Sequence, residues 1–294
     1  MGSLTLPKLP TIDFSVDVLK PGSSSWLSTS KQVRYALEEY GGFVAQYDQI
    51  SAQLLNDIFG HAKDLFEVPL ENKVKNVSNE PYRGYIGPNH LMPLYEGIAI
   101  DNVTSPEETQ KFKNLIETTD SFAQLLSELE HKVEQMLFES YGAEKQYESV
   151  ASANSHLLRF LKYNKPEEAD STTLRFASHT DKNFTTIVVQ HDVGGLEVKT
   201  KDGDWISVES VPSQFVFLAG DGLQHCGDKT RYSLGLFTFN NGIIQVPQEL
   251  VDERHPLLYN PLDSLEYIRF HSRGEARNLV CPVNTFCGVT NSAA

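Results

Sequence analysis

Apolar positions recur at three- and four-residue spacing in several stretches of this chain, and each such stretch predicts a helix. From Ser28 to Tyr40 the series Leu27, Val33, Leu37 and Tyr40 gives one apolar stripe, which Gly41-Gly42 stops in the way a C-terminal glycine does. A second helix follows Ser51, a natural N-cap, with Leu54, Leu55, Ile58, Ala62, Leu65 and Phe66 on one face. The longest spans Asp120 to Tyr141, carries Phe122, Leu125, Leu126, Leu129, Val133, Met136 and Leu137, and is closed by Gly142. A shorter one is expected over Asp263–Gly274. Elsewhere the period falls to two, or β-branched and aromatic residues cluster, and both patterns predict strands. Such segments are Leu9–Phe14, Phe43–Tyr47, His156–Tyr163, Thr185–Val189, Phe215–Ala219 and Arg231–Phe239. Leu196–Val198 and Trp205–Val208 flank Asp202-Gly203, the signal of a hairpin turn. Pro21–Ser25 and Glu167–Thr173 read as loops, and Pro69–Asn79 as a polar connection. Pro81–Gly87, with its tyrosines and turn glycines, fits a plain hairpin or a segment approaching a pocket.

Many short strands punctuated by glycine and proline predict a mainly β fold with flanking helices, its core a double-stranded β-helix, the jelly roll of the cupin kind. Residues 1–150 are expected to form a helical and strand region packing on the core, 151–245 the jelly roll, and 246–294 a C-terminal cap. A chain of 294 residues with 40% hydrophobic content can bury such a core. Its net charge of −14 argues against nucleic acid and anionic membranes as partners, since both demand basic surface. Three cysteines, Cys226, Cys281 and Cys287, without CxxC spacing, suggest reduced thiols and a cytoplasmic location. The N-terminal Met1–Leu6 lacks the basic-then-apolar pattern of a signal peptide, and no apolar stretch approaches about 18 residues.

Chemistry concentrates between His179 and Ser233. On extended backbone residues i and i+2 share a side, so the imidazole of His179 and the carboxylate of Asp181 can converge on one divalent metal. Two histidines and one carboxylate on one face of an octahedron is the non-heme Fe(II) arrangement, so a second histidine is required. Arg231 and Ser233 share the other face of their strand from Tyr232, Leu234 and Leu236. A guanidinium fork with a neighbouring hydroxyl makes a clamp for a carboxylate. His-x-Asp alone is a weak motif; its combination with buried strands and a following Arg-x-Ser is what gives it weight.

The order Asn164-Lys165-Pro166, His179-Thr180-Asp181, Gly194-Gly195-Leu196-Glu197-Val198, Asp202-Gly203-Asp204-Trp205-Ile206, Gly220-Asp221 and Arg231-Tyr232-Ser233 resembles the plant Fe(II)- and 2-oxoglutarate-dependent dioxygenases. Within them it is most similar to the AOP-type branch, whose named members modify glucosinolate side chains. The resemblance runs from Leu9 to Gly288. It implies Fe(II) held by His179 and Asp181, with 2-oxoglutarate as cosubstrate gripped by Arg231 and Ser233. It further implies a supporting role for ascorbate, and a C–H oxidation of a small plant metabolite with O2, by a protein expected to be a monomer. Tyr163, ahead of Asn164-Lys165-Pro166, matches a family position whose side chain helps hold 2-oxoglutarate.

One departure stands out. In the family a His-Arg-Val, whose histidine is the third iron ligand, precedes Arg-x-Ser; this chain runs from Gly220-Asp221 to Arg231 in ten residues without it. Two readings follow. Either His225 is recruited as the third ligand, or the ligand is absent and the chain is an impaired variant that keeps the fold and 2-oxoglutarate binding. A loop after Phe112–Ile116 is shortened as well.

Overall fold

The computed structural model describes residues 8–78, 80–90, 92–101, 116–166, 174–200, 202–219, 223–226, 229–276, 279 and 281–289. For residues 101, 116, 174–177 and 223–226 the description stops at the backbone. The predicted solvent loop Glu167–Thr173, most of the segment from Phe112 to Ile116, and Gly220–Gly222 lie outside the described residues.

The strands, in chain order, are β1 Thr11–Asp13, β2 Gly42–Gln46, β3 Tyr85–Ile86, β4 Tyr95–Asp101, β5 Asn154–Tyr163, β6 Leu174–His179 and β7 Thr185–Gln190. There follow β8 Leu196–Lys199, β9 Trp205–Val208, β10 Gln214–Leu218, β11 Leu223–Cys226, β12 Arg231–Asn240 and the short β13 Ile243–Ile244 and β14 Leu262–Asp263. The helices are α1 Ser24–Tyr40, α2 Ala52–Glu67, α3 Leu70–Lys73, α4 Ile116–Ser140, α5 Glu144–Ala151, α6 Ser264–Ser272 and α7 Pro282–Cys287.

Two sheets face each other, as expected of a jelly roll. The larger has the order β1-β2-β10-β7-β12-β5-β4-β3, and the smaller β6-β11-β8-β9. Alternation along the strands sorts side chains to two sides. On β5, β7, β10 and β12, residues Leu158, Phe160, Ile187, Val189, Phe215, Phe217, Leu234 and Leu236 pack in one cluster with α1, α2 and α4. Val188, Val216 and Leu218 face the other way and pack on Leu196, Val198, Ile206 and Val208 of the small sheet. The large sheet is thus sandwiched, and the space left between the sheets forms a cavity.

Helix ends follow their caps. Ser51 Oγ accepts from the Leu54 backbone N–H at 3.1 Å, as its sequence position predicts. The first helix starts four residues earlier than its periodicity suggested, because Ser23 Oγ accepts from Trp26 N–H and draws Ser24 and Ser25 out of the predicted loop. Fully buried Trp26 then takes the inward position, whereas Leu27, read as part of the stripe, is 53% exposed. Its other end is as predicted: Gly41 sits at φ 70°, a left-handed conformation that costs glycine no Cβ clash. Pro69–Asn79 is not wholly irregular, since it contains the single turn α3, whose Lys73 reaches back to Glu96.

Candidate functional site

β6 ends at His179, and Thr180 and Asp181 follow just beyond it. The two side chains still converge, with His179 Nε2 lying 3.5 Å from Asp181 Oδ1. Atoms about 2.0–2.2 Å from one ion lie roughly 3.0–3.6 Å apart at right-angled to tetrahedral geometry, so this is a spacing that one ion can bridge. The second carboxylate oxygen is committed elsewhere: Thr186 Oγ1, on β7, donates to Asp181 Oδ2 at 2.7 Å. That bond fixes the carboxylate plane and leaves Oδ1 beside the imidazole. His179 is about a third exposed, which leaves the pair open to the cavity.

Arg231 opens β12 and is 1% exposed. Its Nη1 donates to Ser233 Oγ and its Nη2 to Gln190 Oε1, each at 2.9 Å, while the guanidinium carbon stands 5.1 Å from the centroid of the Tyr163 ring. Gln190 also links the sheets, since its Oε1 accepts from Leu196 N–H and its Nε2 donates to Val208 O. The register explains the gathering: Arg231 pairs with Tyr163 across β12–β5, and Ser233 with Gln190 across β12–β7. Burial raises the Tyr163 phenol above its ordinary value despite the opposing pull of Arg231, so it stays protonated.

His179, Asp181, Arg231, Ser233 and Tyr163 all line one cavity of about 1360 Å³ between the sheets. The His225 side chain lies outside the described residues, but its backbone place on β11 is given: Leu223 pairs with His179, and His225 with Phe176 across an irregular step. On its other side β11 pairs regularly with β8, His225 opposite Leu196.

The cavity has walls that sequence reasoning did not assign. Arg159 lines it from β5, the alternating strand predicted over His156–Tyr163. His271 lines it from α6. Burial, and then the charge of Lys182, lower the His271 pKa and favour its neutral form. Tyr82 also lines the cavity while Tyr85–Ile86 pairs with β4, so the Pro81–Gly87 segment is both hairpin and wall. On the helix side of the large sheet Glu130, His131 and His156 form the one three-donor group among the described residues whose ligand atoms all lie within 4.8 Å of one another. It takes no part in the cavity.

Known proteins resemble the chain along most of its length. Residues 9–96 match the model for the N-terminal region of the non-haem dioxygenase in morphine synthesis, and residues 155–239 that of the 2OG-Fe(II) oxygenase superfamily. A probable 2-oxoglutarate-dependent dioxygenase of Arabidopsis thaliana, AOP1.2, is 38% identical over 294 aligned positions that take in 90% of each chain. That span exceeds the residues this chain contributes to it, so the relative carries internal segments that this chain does not. Among solved structures, dioxygenase for auxin oxidation 1 of Arabidopsis thaliana, in a binary complex with 2-oxoglutarate, superposes with a TM-score of 0.73 at 25% identity, over 84% of this chain and 99% of its own. The rice dioxygenase for auxin oxidation gives 0.75 at 22% identity, over 91% and 96%. With a superfamily model on its β core and so close a relative along nine-tenths of its length, the chain belongs to the Fe(II)- and 2-oxoglutarate-dependent oxygenases, in the AOP-like group of plants.

Proposed function

We propose that the chain couples conversion of 2-oxoglutarate and O2 to succinate and CO2 with oxidation of a C–H bond in a small plant metabolite, using the cavity between its two sheets. In a hydroxylation one oxygen atom enters succinate and the other the substrate; in a desaturation the second leaves as water. His179 and Asp181 are the residues we assign to Fe(II), which supplies oxygen activation when bound. Thr186 holds Asp181 in the orientation that the ion needs. Arg231 and Ser233 are assigned to the far carboxylate of 2-oxoglutarate. Arg231 comes already oriented by Gln190 and by the Tyr163 ring, so little side-chain entropy is lost on binding. The observation that carries the reading is this convergence of an imidazole–carboxylate pair and a buried guanidinium on a single cavity.

His225 is our assignment for the third ligand, because β11 runs beside β6, the strand that delivers His179. The protein is taken to act as a cytoplasmic monomer, with ascorbate keeping the iron ferrous; no helix of the described residues is long and apolar enough to cross a membrane. The test is succinate release from the protein given Fe(II), ascorbate and 2-oxoglutarate, with 2-oxoglutarate binding measured calorimetrically in parallel. Turnover, even without an organic substrate, is expected, and His225→Ala abolishes it. Arg231→Ala weakens 2-oxoglutarate binding by about 2–4 kcal/mol, roughly 30- to 1000-fold. Folded protein that binds 2-oxoglutarate but makes no succinate identifies the impaired variant; folded protein that does neither overturns the reading.

A further inference from the structure

We infer that the chain carries a second metal site, a structural Zn(II) held by Glu130, His131 and His156 on the helix side of the large sheet, where it ties α4 to the strands beneath. The inference does not depend on the proposed function, since none of the three residues lines the cavity.

Alternation along the strands puts His156, Thr238 and Thr185 on the face that Leu158, Leu236 and Ile187 share with the helices. The register then aligns them, because Thr238 of β12 lies opposite His156 of β5 on one side and opposite Thr185 of β7 on the other. One polar row thus crosses three central strands of an otherwise apolar face. Over it α4 brings Glu130, His131 and Glu134, and both glutamates are buried.

His156 Nε2 stands 3.5 Å, and His131 Nδ1 3.8 Å, from the same oxygen, Glu130 Oε2. One ligand atom from each of the three residues lies within 4.8 Å of the other two. Around a tetrahedral ion with bonds of about 2.0–2.2 Å the donors lie roughly 3.3–3.6 Å apart, so a small turn of the partly exposed His131 ring closes the set. Burial favours the neutral form of both imidazoles, the form that a metal takes. Two imidazoles and a carboxylate suit Zn(II). Glu134, one turn on and electrostatically coupled to Glu130, brings a second negative charge, so two carboxylates balance a divalent ion where an unpaired charge is costly.

A buried hydrogen bond between His156 and Glu130 would by itself explain that pair, but not two further observations. Thr238 is 0% exposed, its Oγ1 has no hydrogen-bond partner, and it favours the charged form of Glu130. A hydroxyl buried in this way is costly, and a charged Glu130 drawn onto an ion is the acceptor it lacks. Adjacent threonines of β7 also build one device on both faces of the sheet. Thr186 donates to Asp181 Oδ2 and leaves Oδ1 3.5 Å from His179 Nε2; Thr185 donates to Glu130 Oε1 and leaves Oε2 3.5 Å from His156 Nε2. In each case a hydroxyl fixes one carboxylate oxygen and turns the other to an imidazole, the outer support that metal ligands receive.

The experiment uses the full chain carrying His179→Ala and Asp181→Ala, stripped of metal with a chelator, so that the cavity pair takes no ion. Zn(II) is titrated in against a chromophoric indicator, and thermal unfolding is followed in parallel. One Zn(II) per chain is expected to bind and to raise the unfolding temperature. Thr185→Val weakens that binding about 10- to 100-fold, and His131→Gln at least as much. Adding His156→Gln to His131→Gln abolishes it, whereas His255→Gln, at an exposed histidine elsewhere, leaves it unchanged. A chain that binds no Zn(II), or one whose binding is unaffected by His131→Gln, overturns the inference. Should the chain with His156→Gln not fold, His131→Gln decides alone, since its side chain is partly exposed and its loss leaves the buried pair in place.

Discussion

Replacing Glu134 by glutamine should stabilise the protein at neutral and alkaline pH and do nothing at acid pH. Glu130 and Glu134, one turn apart on α4, are 0% and 2% exposed and lie against the helix side of the large sheet. Thr185 of β7 donates to Glu130 Oε1 at 2.9 Å, and Asn154 of β5 donates to both oxygens of Glu134 at 3.0 Å. His156 Nε2 is 3.5 Å from Glu130 Oε2, His131 Nδ1 3.8 Å, and Tyr147 packs nearby from α5, donating to the His131 carbonyl. Burial lowers the pKa of both histidines, so neither brings a full positive charge to the carboxylates at neutral pH. Burial first, and then the neighbouring Glu130, push Glu134 up to about 10; burial likewise raises Glu130. The folded state therefore keeps a proton that the unfolded chain releases near the ordinary glutamate value. Stability from this source is complete at acid pH and falls as pH rises, by about 1.4 kcal/mol per pH unit for each retained proton, until the folded group itself ionises. By pH 7 the loss amounts to about 3 kcal/mol. An amide at position 134 keeps one of the two Asn154 bonds through its oxygen and donates to Glu130 through its nitrogen, without the titration. Urea unfolding at about pH 5, 6.5 and 8 reads the effect, with exposed Glu128→Gln on the same helix as control. A Glu134→Gln protein that is weaker than wild type at every pH, with the wild-type slope intact, would refute the reasoning.

Two further outcomes follow from other contacts. Thr186→Val removes the donor that fixes Asp181, and Mn(II) affinity measured by paramagnetic resonance is expected to fall about 10- to 100-fold with little change in unfolding temperature; unchanged affinity would separate Thr186 from the metal pair. Burial works to raise the Glu96 carboxyl, but Lys73 and Tyr85, at 2.7 and 2.9 Å, hold it below the usual carboxylate range. Glu96→Gln is therefore expected to cost about 3 kcal/mol at neutral pH in urea unfolding, and the gap from wild type should close as pH falls through the lowered Glu96 pKa.

Most of the architecture was legible in the sequence because local signals and burial agreed. The stripe from Leu54 to Phe66 and the run Thr185–Val189 fall on α2 and on a strand in which every residue is buried. The hairpin at Asp202-Gly203 forms as read, Lys199 pairing with Trp205 and Gly203 at φ 93°. Where periodicity misled, at Leu27, one capping hydroxyl had moved the helix start, and Trp26 won the inward place by its larger apolar area. The pairing of β1–β4 into the same sheet as β5, β7, β10 and β12 was hidden, because strand order between distant segments leaves no local pattern.

The cavity shows the same division between what spacing encodes and what only register supplies. His179 with Asp181, and Arg231 with Ser233, are two residues apart in sequence, and both pairs line one cavity. Tyr163 comes to Arg231 only through the β5–β12 register, 68 positions away in the numbering, and a resemblance rather than a pattern pointed to it. Arg159 gave no signal at all: in Leu157-Leu158-Arg159-Phe160-Leu161 a charged residue amid apolar ones reads as the exposed side of an edge strand. It is inside because β4 and β12 cover both of its edges, and a sheet face closed by a second sheet turns an outward position into a cavity wall. A charged residue that breaks a strand's apolar pattern therefore marks a face that lines a cavity, and only the strand's neighbours in the sheet reveal it.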